Sequence, residues 1–159
     1  MEWRKIDGYE NYSISKNGEV RNDKTGRIRK PTLGNHGYYI LSLCKNSKRK
    51  IFRFHRLLAL AFIPNPDNKT CVDHIDGNKT NNKLENLRWC THQENHRNRK
   101  CGGKYKKGVS FHKHTNKFKA KITIDGKDKH LGLFETEDEA HEVYCKYAKE
   151  IYGEFFRPN

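Results

Sequence analysis

The stretch CVDHIDGNKTNNKLENLRWCTHQEN, residues 71–95, sets an Asp-His pair among several asparagines. Amides and charges resist burial unless each finds a partner, so this is no ordinary core element. Cys71 and Val72 predict a short strand that ends at Asp73-His74. IDGNKTNNKLEN has the turn chemistry of a compact loop. LRWC reads as a second strand, and Thr91-His92-Gln93-Glu94 as a capping box that puts Asn95 in the first turns of a helix. The order strand, loop, strand, helix lets Asp73 and Asn95 converge, each offering an oxygen to a cation, with His74 pointing at the same space. Hard oxygen donors with a single carboxylate suit Mg²⁺ or Mn²⁺ that keeps several waters. A neutral imidazole beside such an ion can take a proton from water, and the ion can stabilise a departing 3′ oxygen. These parts suffice for phosphodiester hydrolysis.

The rest of the chain says what such a site acts on. Its 159 residues carry 33 Lys+Arg against 19 Asp+Glu, a formal net charge of +14. The excess is spread along the chain, which favours a polyanion: nucleic acid first, an acidic membrane surface second. With 33% apolar residues, thin modules are expected rather than one large core. The five cysteines are odd in number and form no Cys-x-x-Cys pair, so no disulfide framework is indicated. The first residues, MEWRKIDGYE, lack an apolar signal region, and the apolar run from Leu57 to Ile63 is too short to span a bilayer. A reducing intracellular compartment is expected.

Four segments follow: a β-rich module over 1–50, the central motif over 51–100, a basic Gly-containing linker over 101–106, and a third module over 107–159. In the first, Asn17-Gly18 predicts a hairpin pairing Tyr12–Ser15 with Glu19–Arg21. GYYILSLC and KIFRFHR supply another strand pair across the basic loop Lys45–Lys50. Arg21, Arg27, Arg29 and Lys30 could lie along a phosphate backbone or simply on a solvated sheet face. In the second, HRLLALAF puts Leu57, Leu58, Ala61 and Phe62 on one helical stripe, stopped by Pro64 and Pro66.

In the third, KFKAKITID alternates strictly, with Phe118, Ala120, Ile122 and Ile124 on one face and Lys117, Lys119, Lys121 and Thr123 on the other. GVSFH before it and KHLGLFE after it complete three antiparallel strands. Thr136-x-x-Glu139 is a capping box opening a helix to about Tyr152, whose buried side reads as Ala140, Val143, Tyr144, Tyr147, Ala148 and Ile151. A sheet face of lysines repels itself unless something anionic lies on it.

Asp73-His74, Asn86 and Asn95, with NNKLENLRWCT between, resemble the HNH motif of phage and intron homing endonucleases. EWRKIDGYENYSISKNGEVRN resembles the NUMOD4-like module often fused to them, and residues 107–159 resemble an AP2-type DNA-binding domain. The resemblance implies an α+β chain: a small N-terminal antiparallel sheet, a ββα-metal motif, and a three-stranded antiparallel sheet packed on one helix. It implies a DNA endonuclease in which Asp73 and Asn95 bind the metal, His74 is the general base and Asn86 holds the loop near His74. Arg53, Arg56, Arg88 and Arg97 are nearby phosphate-clamp candidates. The AP2-like sheet would enter the major groove of double-stranded DNA through Ser110, His112, Lys117, Lys119, Lys121, Thr123, Asp128 and His130. Lysines hold phosphates better than they distinguish bases, whereas Asp128 could accept from a cytosine amino group. A monomer on DNA is expected, in the cytoplasm of a bacterium or phage-infected host, with no membrane partner.

Rival readings divide on a few residues. A calcium loop at Asp73-x-x-Asp76-Gly77-Asn78 fails because Ile75 fills a ligand position. Cys71-x-x-His74 with Cys90-x-His92 could make a structural zinc site, leaving a DNA-binding regulator with a vestigial nuclease motif. An RNA-directed protein is disfavoured because no aromatic stacking platform lies on the basic sheet.

Overall fold

The computed structural model describes residues 2–158. Four strands form the first sheet in the order β1 (Trp3–Ile6), β2 (Tyr9–Ser15), β3 (Val20–Asn22) and β4 (Ile28–Arg29), all antiparallel. The expected hairpin is its centre, with Tyr12 opposite Asn22 and Ile14 opposite Val20. Strands β1 and β4 carry no alternation long enough to announce them, and they form because β2 and β3 offer open edges.

A second antiparallel sheet holds β5 (Thr32–Leu33), β6 (Tyr39–Lys45) and β7 (Lys48–Arg53). The basic loop expected over Lys45–Lys50 shrinks to two residues. Asn46 and Ser47 both take positive φ, 51° and 59°, the backbone that matches the twist of a tight hairpin. The lysines around them therefore lie on an exposed ribbon.

Helix α1 (Phe54–Phe62) starts directly after β7, and the amide of Ile63 closes its last turn on the Ala59 carbonyl. Phe54, Leu57, Leu58 and Ala59 are buried, while Ala61 and Phe62 are only partly so. Its apolar stripe joins Ile6, Tyr12, Ile14, Val20, Leu41 and Leu43 from the two sheets to Val72, Leu87 and Trp89. Each large apolar side chain so buried contributes about 1.5–3 kcal/mol of transfer free energy. The β-rich segment and the central motif thus share one core on either side of residue 50, and the chain divides into compact units Met1–His92 and Gln93–Asn159.

The central stretch folds as β8 (Cys71–His74), a 3₁₀ turn at Leu84–Asn86, β9 (Leu87–Cys90) and α2 (His92–Arg97). Strands β8 and β9 are antiparallel, with Asp73 opposite Arg88 and His74 opposite Leu87.

In the second unit β10 (Val109–His112), β11 (Lys117–Ile124) and β12 (Lys127–Phe134) form one antiparallel sheet against α3 (Glu137–Tyr152). The Thr136–Glu139 capping box is present in both directions. Ala140, Tyr144, Ala148 and Tyr152 are the buried positions of α3. The wider stripe expected does not hold: Val143 is half-buried, and Tyr147 and Ile151 are exposed. A helix lying on one small sheet covers only its i, i+4 row, and nothing encloses its flanks.

The tightest approach in this unit is Tyr144 over Gly108. Gly108 has φ +79°, and a Cβ there would sit 2.1 Å from the Tyr144 ring. Gly108→Ala is expected to destabilise the second unit by about 3 kcal/mol or more, from ring displacement plus left-handed strain. A denaturant titration should show the loss; an unchanged midpoint would contradict this packing.

Candidate active site and nucleic-acid interface

The asparagines of 71–95 mostly build the loop. Asn86 is buried. Its Oδ1 accepts from the Asp76 amide at 3.0 Å, and its Nδ2 donates to Asp76 Oδ1 at 2.9 Å and to the Asn81 carbonyl at 2.8 Å. Asn81 Nδ2 donates to the other Asp76 oxygen at 2.8 Å, and Asn78 Oδ1 accepts from the Thr80 amide and hydroxyl. The Ile75 amide bonds the Asn86 carbonyl, and the Gly77 amide the His74 carbonyl. Burial pushes the Asp76 carboxyl up, but hydrogen bonds from Asn81, the Asn78 amide and Asn86 outweigh it and leave its pKa below the ordinary value. A short polar loop without a core of its own is thereby fixed at the end of β8.

Asp73 and His74 leave that strand in opposite directions, as successive strand residues do. Asp73 is 6% exposed, and Arg88, opposite it, donates from Nε and Nη2 to its Oδ2 at 3.2 and 3.0 Å. His74 is 4% exposed and its Nε2 lies 3.1 Å from Asn82 Oδ1. Its ring meets His55 edge-on, centroids 4.7 Å apart, with Tyr38 beyond at 6.1 Å. His55, at the first turn of α1, gave no sequence signal beyond its place in an apolar helix. It is buried, its Nδ1 has no hydrogen-bond partner, and its pKa falls to about 3. Burial is the main cause, followed by the charges of His74, Arg53 and Arg56.

The arginines near the motif have partners within the chain. Arg88 is no surface phosphate clamp: it is largely buried in its ion pair with Asp73. Arg56 donates to the Thr70 carbonyl at 2.8 Å, Arg53 lies over the Tyr38 ring, and Arg97 over the Tyr152 ring. The zinc set does not assemble, because Cys71 faces His92, 3.3 Å away, while His74 turns to the other side of β8. Among the described residues no cluster of three or more His, Cys, Asp or Glu is placed to hold a metal. Asn95 lies on α2, in the part of the chain grouped with the second unit.

On the first sheet, Arg21 bonds Asp23 and stacks on Trp3, while Arg29 keeps a buried Nε without a hydrogen-bond partner; Arg27 and Lys30 flank it. On the second unit's sheet the register aligns Ser110 with Lys119, His112 with Lys117, Lys121 with His130 and Thr123 with Asp128. All eight expected positions therefore share one face. It is not purely cationic: Lys121 and Thr123 both bond Asp128, and Lys117 pairs with Glu135. Asp128 is thus engaged within the sheet, and its Lys121 hydrogen bond holds its carboxyl below the usual range.

Residues 1–44 match the NUMOD4 motif and residues 52–97 the HNH endonuclease family. A solved structure of DNA binding and cleavage by the HNH homing endonuclease I-HmuI superposes with a TM-score of 0.58 at 31% identity, covering 94% of this chain and 82% of the other. The chain belongs to the HNH homing endonucleases. Relatives of this HNH homing endonuclease chain by sequence include the uncharacterized HNH endonuclease L245 of Acanthamoeba polyphaga mimivirus and the same DNA endonuclease I-HmuI, of Bacillus phage SP01. They are 45% identical over 58% of the chain and 42% identical over 65% of it. H-N-H endonuclease F-TflII of Escherichia phage T5 is 36% identical over 56% of the chain. The aligned stretches span 28%, 60% and 47% of these three proteins.

HNH nucleases typically use a divalent metal, and the donors here fit a hard ion. Asp73 is a buried carboxylate whose orientation the Arg88 fork fixes, and the soft ligands Cys71 and His92 are turned to each other. A buried carboxylate of this kind suits a hard divalent ion better than zinc.

Proposed function

We propose that this chain hydrolyses phosphodiester bonds in double-stranded DNA, as a homing-type endonuclease. The observation that carries the reading is a buried His74, held at a strand end by the asparagine-built loop, in a chain that superposes on I-HmuI. Asp73 and Asn95 would hold Mg²⁺ or Mn²⁺, which when bound stabilises charge on the leaving 3′ oxygen. His74 takes the proton of the attacking water. Asp73 and His74 are neighbours at the end of β8, so a phosphodiester bound at that strand end would lie near both. Arg88 orients the Asp73 carboxylate, and Asn86 keeps the loop that carries His74 from drifting. Arg21 and Arg29 on the first sheet, and the second unit's face of Ser110, His112, Lys117, Lys119, Lys121, Thr123 and His130, position the duplex through its phosphates. In this reading the second unit is an AP2-like DNA-binding module, the protein works as a monomer in the cytoplasm of a bacterium or phage-infected host, and one site per chain nicks one strand.

The test is supercoiled phage DNA incubated with Mg²⁺, Mn²⁺ or chelator. Nicked product with either ion and none in chelator is expected; linear product without a nicked stage would remove the monomer reading, and cleavage in chelator the metal reading. Affinity for DNA should fall by orders of magnitude between about 50 and 200 mM salt. A flat salt dependence would argue against phosphate-led positioning.

A further inference from the structure

Asn82 stands four residues before the loop-holding Asn86, yet it is Asn82 whose side chain reaches the imidazole. Its Nδ2 donates to the Thr80 carbonyl at 3.2 Å, and its Oδ1 lies 3.1 Å from His74 Nε2. The first contact settles the amide's orientation. A carbonyl only accepts, so the group on Thr80 must be the NH₂, and the oxygen is what faces the ring. That oxygen cannot donate, so the proton between Asn82 and His74 must sit on Nε2. A neutral imidazole carries a single N–H. With it on Nε2, the basic lone pair is on Nδ1.

We propose that Asn82 is a positioning residue that fixes His74 as the Nε2–H tautomer and thereby makes Nδ1 the nitrogen that deprotonates water. The catalytic half of this rests on His74 being the general base. The surroundings keep the arrangement from relaxing. Asn82 is anchored at both ends, its backbone amide also bonding the Thr80 carbonyl. Thr80 in turn is held by Asn78, Asn78 by Asp76, and Asp76 by Asn81 and Asn86. On the ring's flanks His55 packs edge-on and Tyr38 lies tilted beyond. A ring flip about χ2 would put Cε1 in place of Nε2 and lose the bond, and moving the proton to Nδ1 would set the Nε2 lone pair against Oδ1.

The experiment reads the tautomer directly. The full-length protein, labelled with ¹⁵N histidine and free of metal and DNA, is examined at alkaline pH by long-range ¹H–¹⁵N correlation. The His74 ring is identified by its disappearance in His74→Gln. Nε2 with the shift of a protonated nitrogen and Nδ1 with that of an unprotonated one is expected. Asn82→Leu should give mixed tautomers and cut DNA about 10–100-fold more slowly, at unchanged DNA affinity in chelator. Asn82→Asp keeps an accepting oxygen on the ring but cannot donate to Thr80, so it should retain the wild-type tautomer and most of the rate. A wild-type spectrum with the proton on Nδ1, or split between both nitrogens, overturns the proposal, as does an Asn82→Leu variant with wild-type tautomer and rate. Loss of rate in Asn82→Asp equal to that in Asn82→Leu would reduce Asn82 to a loop brace and also overturn it. The spectrum needs no substrate, so a protein that cuts no DNA would refute the nuclease reading while leaving the tautomer assignment to stand or fall separately.

Discussion

His74→Ala is expected to slow DNA cleavage by about 10²–10⁴-fold, the usual worth of a positioned general base, while leaving DNA affinity and its salt dependence near wild type. The contrast follows from where the groups lie. His74 is buried at the end of β8, whereas the basic residues assigned to the duplex lie on separate sheets. Single-turnover cleavage and DNA binding in chelator separate the two quantities. The alanine also leaves a hole beside His55, which should lower stability without unfolding a core that otherwise runs from Ile6 to Trp89. His74→Gln fills more of that space and should be equally slow. Cleavage at the wild-type rate in either folded variant would dismiss His74 as the base.

The second large effect is on stability against acid. The folded pKa of His55 lies at about 3, against 6.5 unperturbed, so protonation favours the unfolded chain. The stabilisation is fully present above pH 6.5 and is lost as pH falls towards the folded value. The loss runs at about 1.4 kcal/mol per pH unit and reaches roughly 5 kcal/mol at its acid end. Asp23, held down to about 2 mainly by its Lys5 and Ser13 hydrogen bonds, adds its loss only below the ordinary carboxylate range, so it does not contribute between pH 6.5 and 4.5. Urea midpoints should fall steeply across that interval. In His55→Phe the fall should be much shallower, because no proton is taken up there. At pH 7 the phenylalanine also removes the unsatisfied Nδ1, so the variant should lose little stability. Equal slopes in the two proteins would show that His55 is not the group responsible.

How much was legible beforehand differs by element, and the reasons are physical. The strict alternation of residues 117–124 has one reading, because a period of two fits a half-buried strand and nothing else; the register later put every expected position on one face. Thr136 and Glu139 announced their helix because a capping box is a local bond between near neighbours. Strands β1 and β4 were silent, since two to four residues show no period and an edge strand is made by its neighbour. The α3 stripe was overdrawn because periodicity tells which residues can be buried, and only the area of the opposing sheet tells which are.

The same division runs through the site. The residue types of 71–95 by themselves determined the strand-loop-strand-helix order, because turn formation and capping are properties of adjacent residues. Tertiary structure alone decided that Arg88 belongs to Asp73, that Cys71 and His74 part company, and that His55 shields the imidazole from residue positions 19 apart in the chain. It also decided which asparagine touches His74. Each of these depends on which groups from distant segments are brought within a few ångströms as one apolar core closes, and no local pattern encodes such a distance.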